Sequence, residues 1–529
     1  MARLIISAFI LLASLFYSCQ SSSTSKRQAL KLSMGSDPES LDPRRIRGLS
    51  AMTLVRMLYE GLTRLDPESR PTLALAESVE VSNDSKTYTF HLRSSQWTNG
   101  DALTAEDFVY AWKKVLDPSF PSDNAYQLFV VKNAREIKQG KLSSEELGVK
   151  ALDVNTLEVQ LHSPCPYFLE LVAFPVFFPI HQKIDQSNPN WAKRPESYIG
   201  NGPFKIREWK HDDILIVVKN ERYWDAQTVK LPEVHLLVID QNTEVKLFEK
   251  KELDWLGSPM SMIPVDAIQD LKKKGTLRIS PLLGTYFLRT NVDKPPFNHP
   301  LFRKALAVAI DRKAIIDHIL QGGQGVATGL VPNQMGLQVD PFFADGNIQE
   351  ARALFEQYLK ESHRTVENLP EIVLTYRGVD RNHLIAQALQ QQWFEAFHFL
   401  IKLESIEGKI YFDRLSKQDY QITTGSWIAD FNDPVNFLEV FKFKVASTNN
   451  TQWEDEEYQR LLDQSYQQSD LDMRRRLLSR CEKILLRAMP IIPIFEYTML
   501  YVNSDEVKDI ALSKLGHLDF KWAYLEEQK

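Results

Sequence analysis

The stretch TTGSWIADFNDPVNFLEVF, from Thr423 to Phe441, places an aromatic ring and a carboxylate close together beside an Asn-Asp-Pro turn. A carboxylate that is shielded from water can pair with a cation and accept its hydrogen bonds. The pattern therefore predicts that Asp430, next to Trp427, binds a cationic group that arrives from outside the chain. A second interpretation stays open at this level: a buried tryptophan followed by a loop acid that caps the next helix.

Signatures of catalysis and of metal binding are absent from the sequence, which contains no H-E-x-x-H, G-x-S-x-G or G-x-x-x-x-G-K-[ST] pattern. The glycine-rich stretch from Gly322 to Gly329 has Thr328 where a phosphate-binding loop needs its last glycine, so we interpret it as a plain loop. No histidine pair has metal-ligand spacing, and Cys165 is interpreted as an inert buried thiol. The sequence predicts no catalytic residue, metal or cofactor, although distant segments can still combine into a hydrolase site.

The composition indicates a large protein held together by packing. Of its 529 residues, 43% are hydrophobic and 25% are charged, and this length predicts two or three domains. The net charge of −6 and the lack of a dense basic block argue against a nucleic-acid partner. The cysteines are Cys19, Cys165 and Cys481. At most one disulfide is possible if Cys19 is modified, so disulfides do not form the framework.

The N-terminal stretch MARLIISAFILLASLFYSC has the layout of an export signal, with Arg3 ahead of an apolar run from Leu4 to Phe16. That run is shorter than the roughly 18 residues that a membrane-spanning helix requires. Because a cysteine follows, the layout resembles a bacterial lipoprotein signal, which implies that residues 1–18 are removed and that Cys19 carries lipid. Residues 19–28 then form a flexible tether. The alternative is export with ordinary cleavage nearby.

Strand and helix patterns surround these residues. KTYTFHLR alternates apolar and polar residues as a strand, and a capping box of Thr104 and Asp107 predicts the start of a helix after it. Asn298 or Pro300 marks the start of a second, long helix. The stretches EIVLTYR, HLIAQALQQQWFEAF and FLIKLESI alternate strand, helix and strand, which predicts a parallel sheet with helices packed on it. The chain is therefore predicted to be an α/β protein.

Several stretches run in order along the chain: SLDPRRI, LYEGL, YTFHLRSSQWTNGDALTAEDFVYAWKKVLDP, GNGPFKIREW, ERYWD, PPFNHPLFRKALAVAIDR and WIADFNDP. Together they closely resemble the extracytoplasmic oligopeptide-binding proteins of ABC importers, within the solute-binding protein family 5 that also includes dipeptide and nickel receptors. The resemblance covers nearly the whole chain after the tether. It implies an α/β, periplasmic-binding-protein-like two-lobed fold, with three domains around a hinged ligand cleft.

The resemblance also implies the order of the domains. Domain I is discontinuous and forms the first lobe, domain II is an appendage, and domain III forms the second lobe. The chain crosses to the second lobe near Gly284 to Asn291 and returns near Pro493 to Tyr501. Both crossings have the pattern of apolar strands, which suits a pair of hinge segments. The expected bounds are 29–50, 179–285 and 498–529 for domain I, 51–178 for domain II, and 286–497 for domain III.

Residue roles follow from the same resemblance. In the family, the Asp of the W-x-A-D segment receives the free α-amino group of the bound peptide, and Trp427 and Asp430 match that segment. For Tyr126, which is one of the further candidates, a role in the hydrophobic core is an equal alternative. The further candidates for peptide contacts are Gly48, Leu49 and Tyr126 in the cleft, with His383 and Arg414 near the positions that take the peptide carboxylate.

The chain departs from close relatives at several positions. Thr424 stands before the GSW triplet where a basic residue is expected, and Arg289 and Arg47 add positive charge where relatives carry acids. Gly284 and Ile428 stand where some relatives have a bridging cysteine pair, so that disulfide is absent. These differences affect how the peptide carboxylate is bound and which peptides are accepted.

The expected function is that of a monomeric receptor without enzymatic activity, periplasmic or otherwise extracytoplasmic and anchored to a bacterial membrane through its lipid. It would pass short peptides to an ABC permease and its ATPase subunits. Narrower ligands stay open: dipeptides, cell-wall (murein) peptides, or a nickel chelate, which is the least supported because no histidine or methionine cluster marks the cleft. A surface lipoprotein that has lost transport and a peptide hydrolase are the remaining alternatives.

Overall fold

A computed structural model describes residues 29–526 except 39, 47, 338, 339 and 469. The predicted signal (1–18), the tether (19–28) with Cys19, and Arg47 lie outside the described residues. Within the described ranges, no helix is both long and apolar enough to cross a membrane.

The strands are numbered in chain order and include two of exceptional length, β12 and β17. They are β1 (Ala29–Met34), β2 (Thr63–Leu65), β3 (Pro71–Leu73), β4 (Ala76–Val81), β5 (Thr87–Leu92), β6 (Val149–Ala151), β7 (Thr156–Gln160), β8 (Phe204–Lys210), β9 (Ile214–Lys219), β10 (Glu233–Val238), β11 (Trp255–Gly257), β12 (Arg278–Thr290), β13 (Gly325–Val326), β14 (Val373–Arg377), β15 (Lys402–Ile406), β16 (Ile422–Ile428), β17 (Ile491–Asn503), β18 (Val507–Lys508), β19 (Ala511–Leu512), β20 (Leu518–Asp519) and β21 (Tyr524–Leu525).

The helices are referred to by their bounds. The longer ones are Leu49–Leu58, Ala105–Leu116, Gln241–Glu249, Val265–Lys273, Pro300–Ala309, Ile348–Glu361, Asp380–Phe397, Gly408–Lys417, Glu456–Tyr466 and Leu471–Ala488, and the shorter ones are Ala134–Lys138, Phe168–Leu171, Gln182–Ser187, Arg312–Ile315 and Val435–Leu438. The helix that was predicted to begin at Asn298 or Pro300 begins at Pro300 and is shorter than expected. It ends at Ala309 because the Asp311 side chain caps a new helical turn.

One mixed sheet runs through the molecule in the order β15-β14-β16-β12-β17-β11-β1-β10-β9-β8, with β13 paired to β17. β14 is parallel to β15 and β16, and β1 is parallel to β10 and β11. β12 is antiparallel to both of its neighbours, and β9 is antiparallel to both β8 and β10. The predicted strand-helix-strand unit with parallel strands is confirmed, because β14 and β15 pair in parallel on either side of helix Asp380–Phe397. Its extension to the whole sheet is wrong, because the sheet is mixed. Strand direction depends on which distant strands pair, and local periodicity carries no such information.

β12 and β17 pair with each other and cross the predicted boundary between domains I and III. Each has 13 residues, and they run antiparallel. Their register shifts between Pro281 and Thr285 and again between Tyr286 and Phe287. Within the first gap the amide of Leu283 donates to the carbonyl of Lys514 instead. Such bulges bend and twist a strand pair, so the two connections are continuous strands with an irregular stretch at the crossing.

A separate four-stranded sheet, in the order β4-β5-β7-β6, lies in the range expected for domain II. In β5 the residues predicted to share one face, Tyr88, Phe90 and Leu92, are all buried. The predicted capping box of Thr104 and Asp107 is present at the start of helix Ala105–Leu116. The strand and helix predictions for this region are confirmed.

A buried ion cluster ties the C-terminal region to the segment after helix Leu49–Leu58. Arg64 donates two hydrogen bonds of 2.7 Å to the carboxylate of Asp519 and one of 3.1 Å to Glu60. Tyr223 and Trp224 also donate to the Glu60 carboxylate. Desolvation acts to raise the pKa of Asp519, but the Arg64 charge and hydrogen bonds hold it below its usual value. The cluster is therefore a charged anchor inside the fold.

Replacing Asp519 leaves the Arg64 guanidinium buried without its main partner. We expect Asp519→Ala to lower the free energy of unfolding by about 3–5 kcal/mol, the usual loss when one member of a buried ion pair is removed. Urea denaturation followed by tryptophan fluorescence measures this loss. Arg70→Ala is the control, because Arg70 pairs with Asp66 at the surface and its removal should leave the midpoint unchanged. A loss no larger than that of the control would contradict the anchoring role.

Candidate functional site

Asp430 lies two residues beyond the end of β16, and its carboxylate is held from two sides. The hydroxyl of Tyr126 and the side-chain amide of Asn436 donate to Oδ2, the latter at 3.4 Å. The Asn436 Oδ1 in turn accepts from the Asp430 amide at 3.1 Å and from the Trp427 indole at 2.9 Å. Asn436 thus fixes the geometry of the W-x-A-D segment. Sequence reasoning missed it, and its only signal is an asparagine soon after the Asn-Asp-Pro turn.

The negative charge of the Asp430 carboxylate is not balanced by a positively charged partner among the described residues. Burial raises the pKa of Asp430 to about 6, although the hydrogen bonds from Tyr126 and Asn436 lower it. No lysine, arginine or histidine in the described part of the chain forms an ion pair with it. A cationic group placed here would replace the water that the carboxylate has lost.

Residues from the appendage range close over this segment. The rings of Tyr126 and Trp427 lie 6.4 Å apart, and the rings of Tyr167 and Phe431 stack at 4.1 Å. The Asn432 amide donates to the Glu170 carboxylate at 2.7 Å. Burial raises the pKa of Glu170 to about 7, partly offset by that bond. Asp430 therefore lies at a contact between two distant parts of the chain.

The predicted cleft residues Gly48 and Leu49 lie at the start of helix Leu49–Leu58. Gly48 has a positive φ of 78°, a conformation that favours glycine, and precedes the helix. The Leu49 side chain packs against Gly516. The loop before Tyr126 is tied to this segment, because Asn124 donates to the carbonyl of Ile46 at 3.1 Å. No contact joins Gly48 or Leu49 directly to Asp430 within the described residues.

β16 presents a free edge beside Asp430. β14 pairs with it only at Ile422 and Thr423, whereas β12 pairs with it from Ile422 to Ile428. Beyond Thr423, no strand in the described part of the chain covers the other edge. Backbone N–H and C=O groups on a free edge can pair with an extended ligand. The structure therefore combines a carboxylate with a short stretch of edge strand that leads away from it.

The two predicted carboxylate-binding residues are not close to Asp430 in any described contact. His383 is exposed and its Nδ1 bonds to the Tyr376 hydroxyl at 2.6 Å. Arg414 pairs with Glu404 at 2.6 Å, so its charge is already compensated. Arg381, which sequence reasoning missed, is half-buried and its charge acts on Tyr286 and Tyr497 beside β16. The only signal in the sequence was its position in the first turn of the helix that follows β14.

Groups that could perform chemistry are scarce around this site. No cluster of three or more metal-ligating side chains exists among the described residues. Cys165 and Cys481 are both buried and unbridged. Burial raises the pKa of both thiols, that of Cys481 to about 12, which disfavours the nucleophilic thiolate. The arrangement can bind an ammonium group and an extended backbone.

Comparison with known proteins identifies the family and the fold. The family model of the bacterial extracellular solute-binding proteins, family 5 Middle, matches residues 70–449. The oligopeptide-binding protein OppA of Bacillus subtilis is 38% identical over 94% of this chain and 93% of its own. The solved structure of Haemophilus influenzae OppA in complex with RPPGFSPFR gives a TM-score of 0.85 at 28% identity, covering 95% of this chain and all of that one.

The murein tripeptide binding protein MppA is similar to this chain in two solved structures. The Escherichia coli protein superposes with a TM-score of 0.86 at 28% identity over 95% of this chain and 99% of its own. Its unliganded open form superposes with a TM-score of only 0.72, at 28% identity over 95% and 98% of the two chains. The predicted family and the two-lobed α/β fold are thereby confirmed. This chain belongs to the bacterial extracellular solute-binding proteins of family 5.

Proposed function

We propose that this chain is the extracytoplasmic receptor of an ABC peptide importer, which captures short peptides between its lobes and delivers them to a membrane permease. The observation that carries the proposal is the Asp430 carboxylate, which is desolvated, lacks a cationic partner among the described residues and lies beside a free strand edge. The relatives named above are peptide-binding proteins, and their names support the same ligand class for this chain.

The free α-amino group of a peptide fits the carboxylate. An ammonium that is closed off from water needs a charged, hydrogen-bonded partner, and Asp430 supplies one. A peptide anchored there can extend along the free edge of β16 and exchange main-chain hydrogen bonds with it, a mode that does not depend on its sequence. Trp427, held by Asn436, provides an adjacent apolar wall.

Closure of the lobes completes the site in this proposal. Tyr126 reaches Asp430 from the appendage range, and Tyr167 and Glu170 contact the residues that follow it. The better superposition on H. influenzae OppA in its peptide complex than on the open MppA supports a closed arrangement. A ligand favours closure when it binds that state more tightly, and β12 and β17 are the segments that would bend.

A narrower receptor for murein peptides or dipeptides is the second candidate, favoured by the similarity to MppA. For either ligand the proposed cycle is the same and needs no catalytic group. A monomeric receptor binds its peptide, closes around it and delivers it to the permease and its ATPase subunits. A series of alanine peptides from two to six residues distinguishes the candidates, because a narrow receptor binds only one length.

Removing the charge of Asp430 should remove amine capture. We expect Asp430→Asn to weaken binding of tetra-alanine by about 30-fold or more, because the ammonium is then buried without a counter-charge. Acetylating the peptide amine should weaken binding to the unchanged protein to the same degree. Isothermal titration calorimetry measures both effects.

Asp413→Asn is the matched control, because Asp413 lies in the same lobe but is exposed and paired with Lys417. It should bind tetra-alanine like the unchanged protein. Binding that is indifferent to both Asp430→Asn and acetylation would refute the assignment of Asp430.

Binding should weaken in acid, because protons compete with the ammonium for Asp430. The pKa of this carboxylate is raised to about 6, and only its ionised form attracts a cation. Affinity should therefore be full above about pH 7 and fall by up to about tenfold per unit as the pH drops through 6. Calorimetric titrations from about pH 5 to 7.5 test this, and a flat profile would contradict it.

The Tyr126 hydroxyl opposes the rise of that pKa by donating to the ionised carboxylate. Tyr126→Phe removes the donor and keeps the ring, so the midpoint of the pH profile should move to higher pH. Tyr110→Phe is the control, because Tyr110 donates to Asp185, a different carboxylate, at 2.6 Å. An unshifted midpoint for Tyr126→Phe would show that the bond does not act on Asp430.

We also propose that lipid on Cys19 anchors the receptor to the outer side of the membrane. The layout of the N-terminal stretch supports this, and more than one acyl chain would make attachment stable. Full-length protein produced in a bacterial host with labelled palmitate should carry label in the membrane fraction, and Cys19→Ser should lose it. Retention of label by Cys19→Ser would contradict the assignment.

A further inference from the structure

Arg289 is a buried guanidinium without a partner. Only 6% of the residue is exposed, and its Nε has no hydrogen-bond partner. None of its nitrogens forms an ion pair or hydrogen bond with another group in the described part of the chain. A buried cation in this state is unfavourable unless something else compensates it. Four other buried arginines pair with carboxylates, namely Arg44, Arg64, Arg312 and Arg474. Buried Arg303 donates to backbone carbonyls instead, and Arg56, whose Nε also lacks a partner, is stabilised by the charge of Asp519.

The surroundings of Arg289 form a cradle for its planar head. The guanidinium carbon lies 4.9 Å from the centre of the Phe287 ring, and its charge also acts on the Tyr420 phenol. Its terminal nitrogen lies directly over Gly425, where any Cβ would collide with it. Gly425 therefore leaves room for the guanidinium to cross above β16.

The side chain leans towards the candidate site. In the β12–β16 register Arg289 lies opposite Thr423, but its guanidinium lies over Gly425, the next residue on the same face. Trp427 follows on that face, because side chains alternate along a strand. β16 has no neighbour on its far side at this level. The Arg289 guanidinium therefore extends over Gly425, which has no side chain, towards the free edge of β16 where a ligand would lie.

We propose that Arg289 binds an acidic side chain of the captured peptide and so makes the receptor selective for acidic peptides. This rests on the proposed function. With its amine at Asp430, a peptide antiparallel to β16 places its first residue opposite Ile428, its second opposite Trp427 and its fourth opposite Gly425. Directly opposed residues share a face. The second and fourth side chains therefore point to the face of Arg289, and the first and third do not.

The test uses C-terminally amidated penta-alanine with Glu or Gln at the second, third or fourth position, titrated into the purified full chain. Amidation removes the terminal carboxylate, so the side chain is the only anion. We expect Glu to bind about tenfold or more tighter than Gln at the second or fourth position, as for a desolvated charge-assisted bond. At the third position the two should bind alike.

Variants identify the cation responsible. Arg289→Gln should abolish the preference for Glu over Gln and leave the affinity for penta-alanine amide unchanged, while Arg289→Lys should retain part of the preference. Arg480→Gln is the control, because Arg480 is exposed and already paired with Glu457, and it should keep the full preference. Thermal unfolding of each variant shows whether it folds.

Three outcomes would overturn the inference while the proposed function stands: equal binding of Glu and Gln peptides, a preference that survives Arg289→Gln, or dependence on Arg289 only for the free terminal carboxylate of unamidated penta-alanine. In each case penta-alanine still binds. If no peptide binds the unchanged protein, the proposed function fails and this inference fails with it. If Arg289→Gln does not fold, the response of Arg289→Lys decides.

Discussion

The candidate site depends on one half-buried carboxylate that has no cationic partner among the described residues. Asp430 is held by a hydroxyl from a distant part of the chain and by an amide from its own segment, and burial still raises its pKa to about 6. Donors stabilise the ionised form but do not supply a full counter-charge. A site in this condition gains most from a cation that arrives with its own hydrogen bonds. The rest of the fold brings these groups together and allows them to separate.

In the proposed function, the lobes separate by bending of the strands that cross between them. β12 and β17 carry the connection as paired strands, and their register breaks where the chain crosses. Contacts between the appendage range and the segment after Asp430 include the stacked rings of Tyr167 and Phe431 and the bond from the Asn432 amide to Glu170. In the proposed function, a peptide that binds the closed state more tightly than the open one shifts the population towards closure.

The cationic side chains around the site differ in whether another side chain already pairs with them. Arg414 is neutralised by Glu404, and His383 is bonded to Tyr376, so neither is available without breaking a bond. Arg289 is buried and unpaired among the described residues. Residue type alone does not distinguish these three side chains, whereas their partners do, since a charge that is already compensated has less to offer a ligand.

Local pattern was sufficient to predict the capping box at Thr104, the face of β5 and the apolar crossing strands, because each is recorded in nearby residues. The family followed from the resemblance of several motifs in order along the chain, and the role of Asp430 stays a prediction. The mixed strand directions, the bond from Tyr126 to Asp430, the role of Asn436 and the path of Arg289 over Gly425 were decided only by the tertiary structure. Each joins residues that are separated in sequence or depends on which neighbour satisfies a buried polar group. Such pairings arise only when the chain packs, because burial makes every unpaired charge or donor matter.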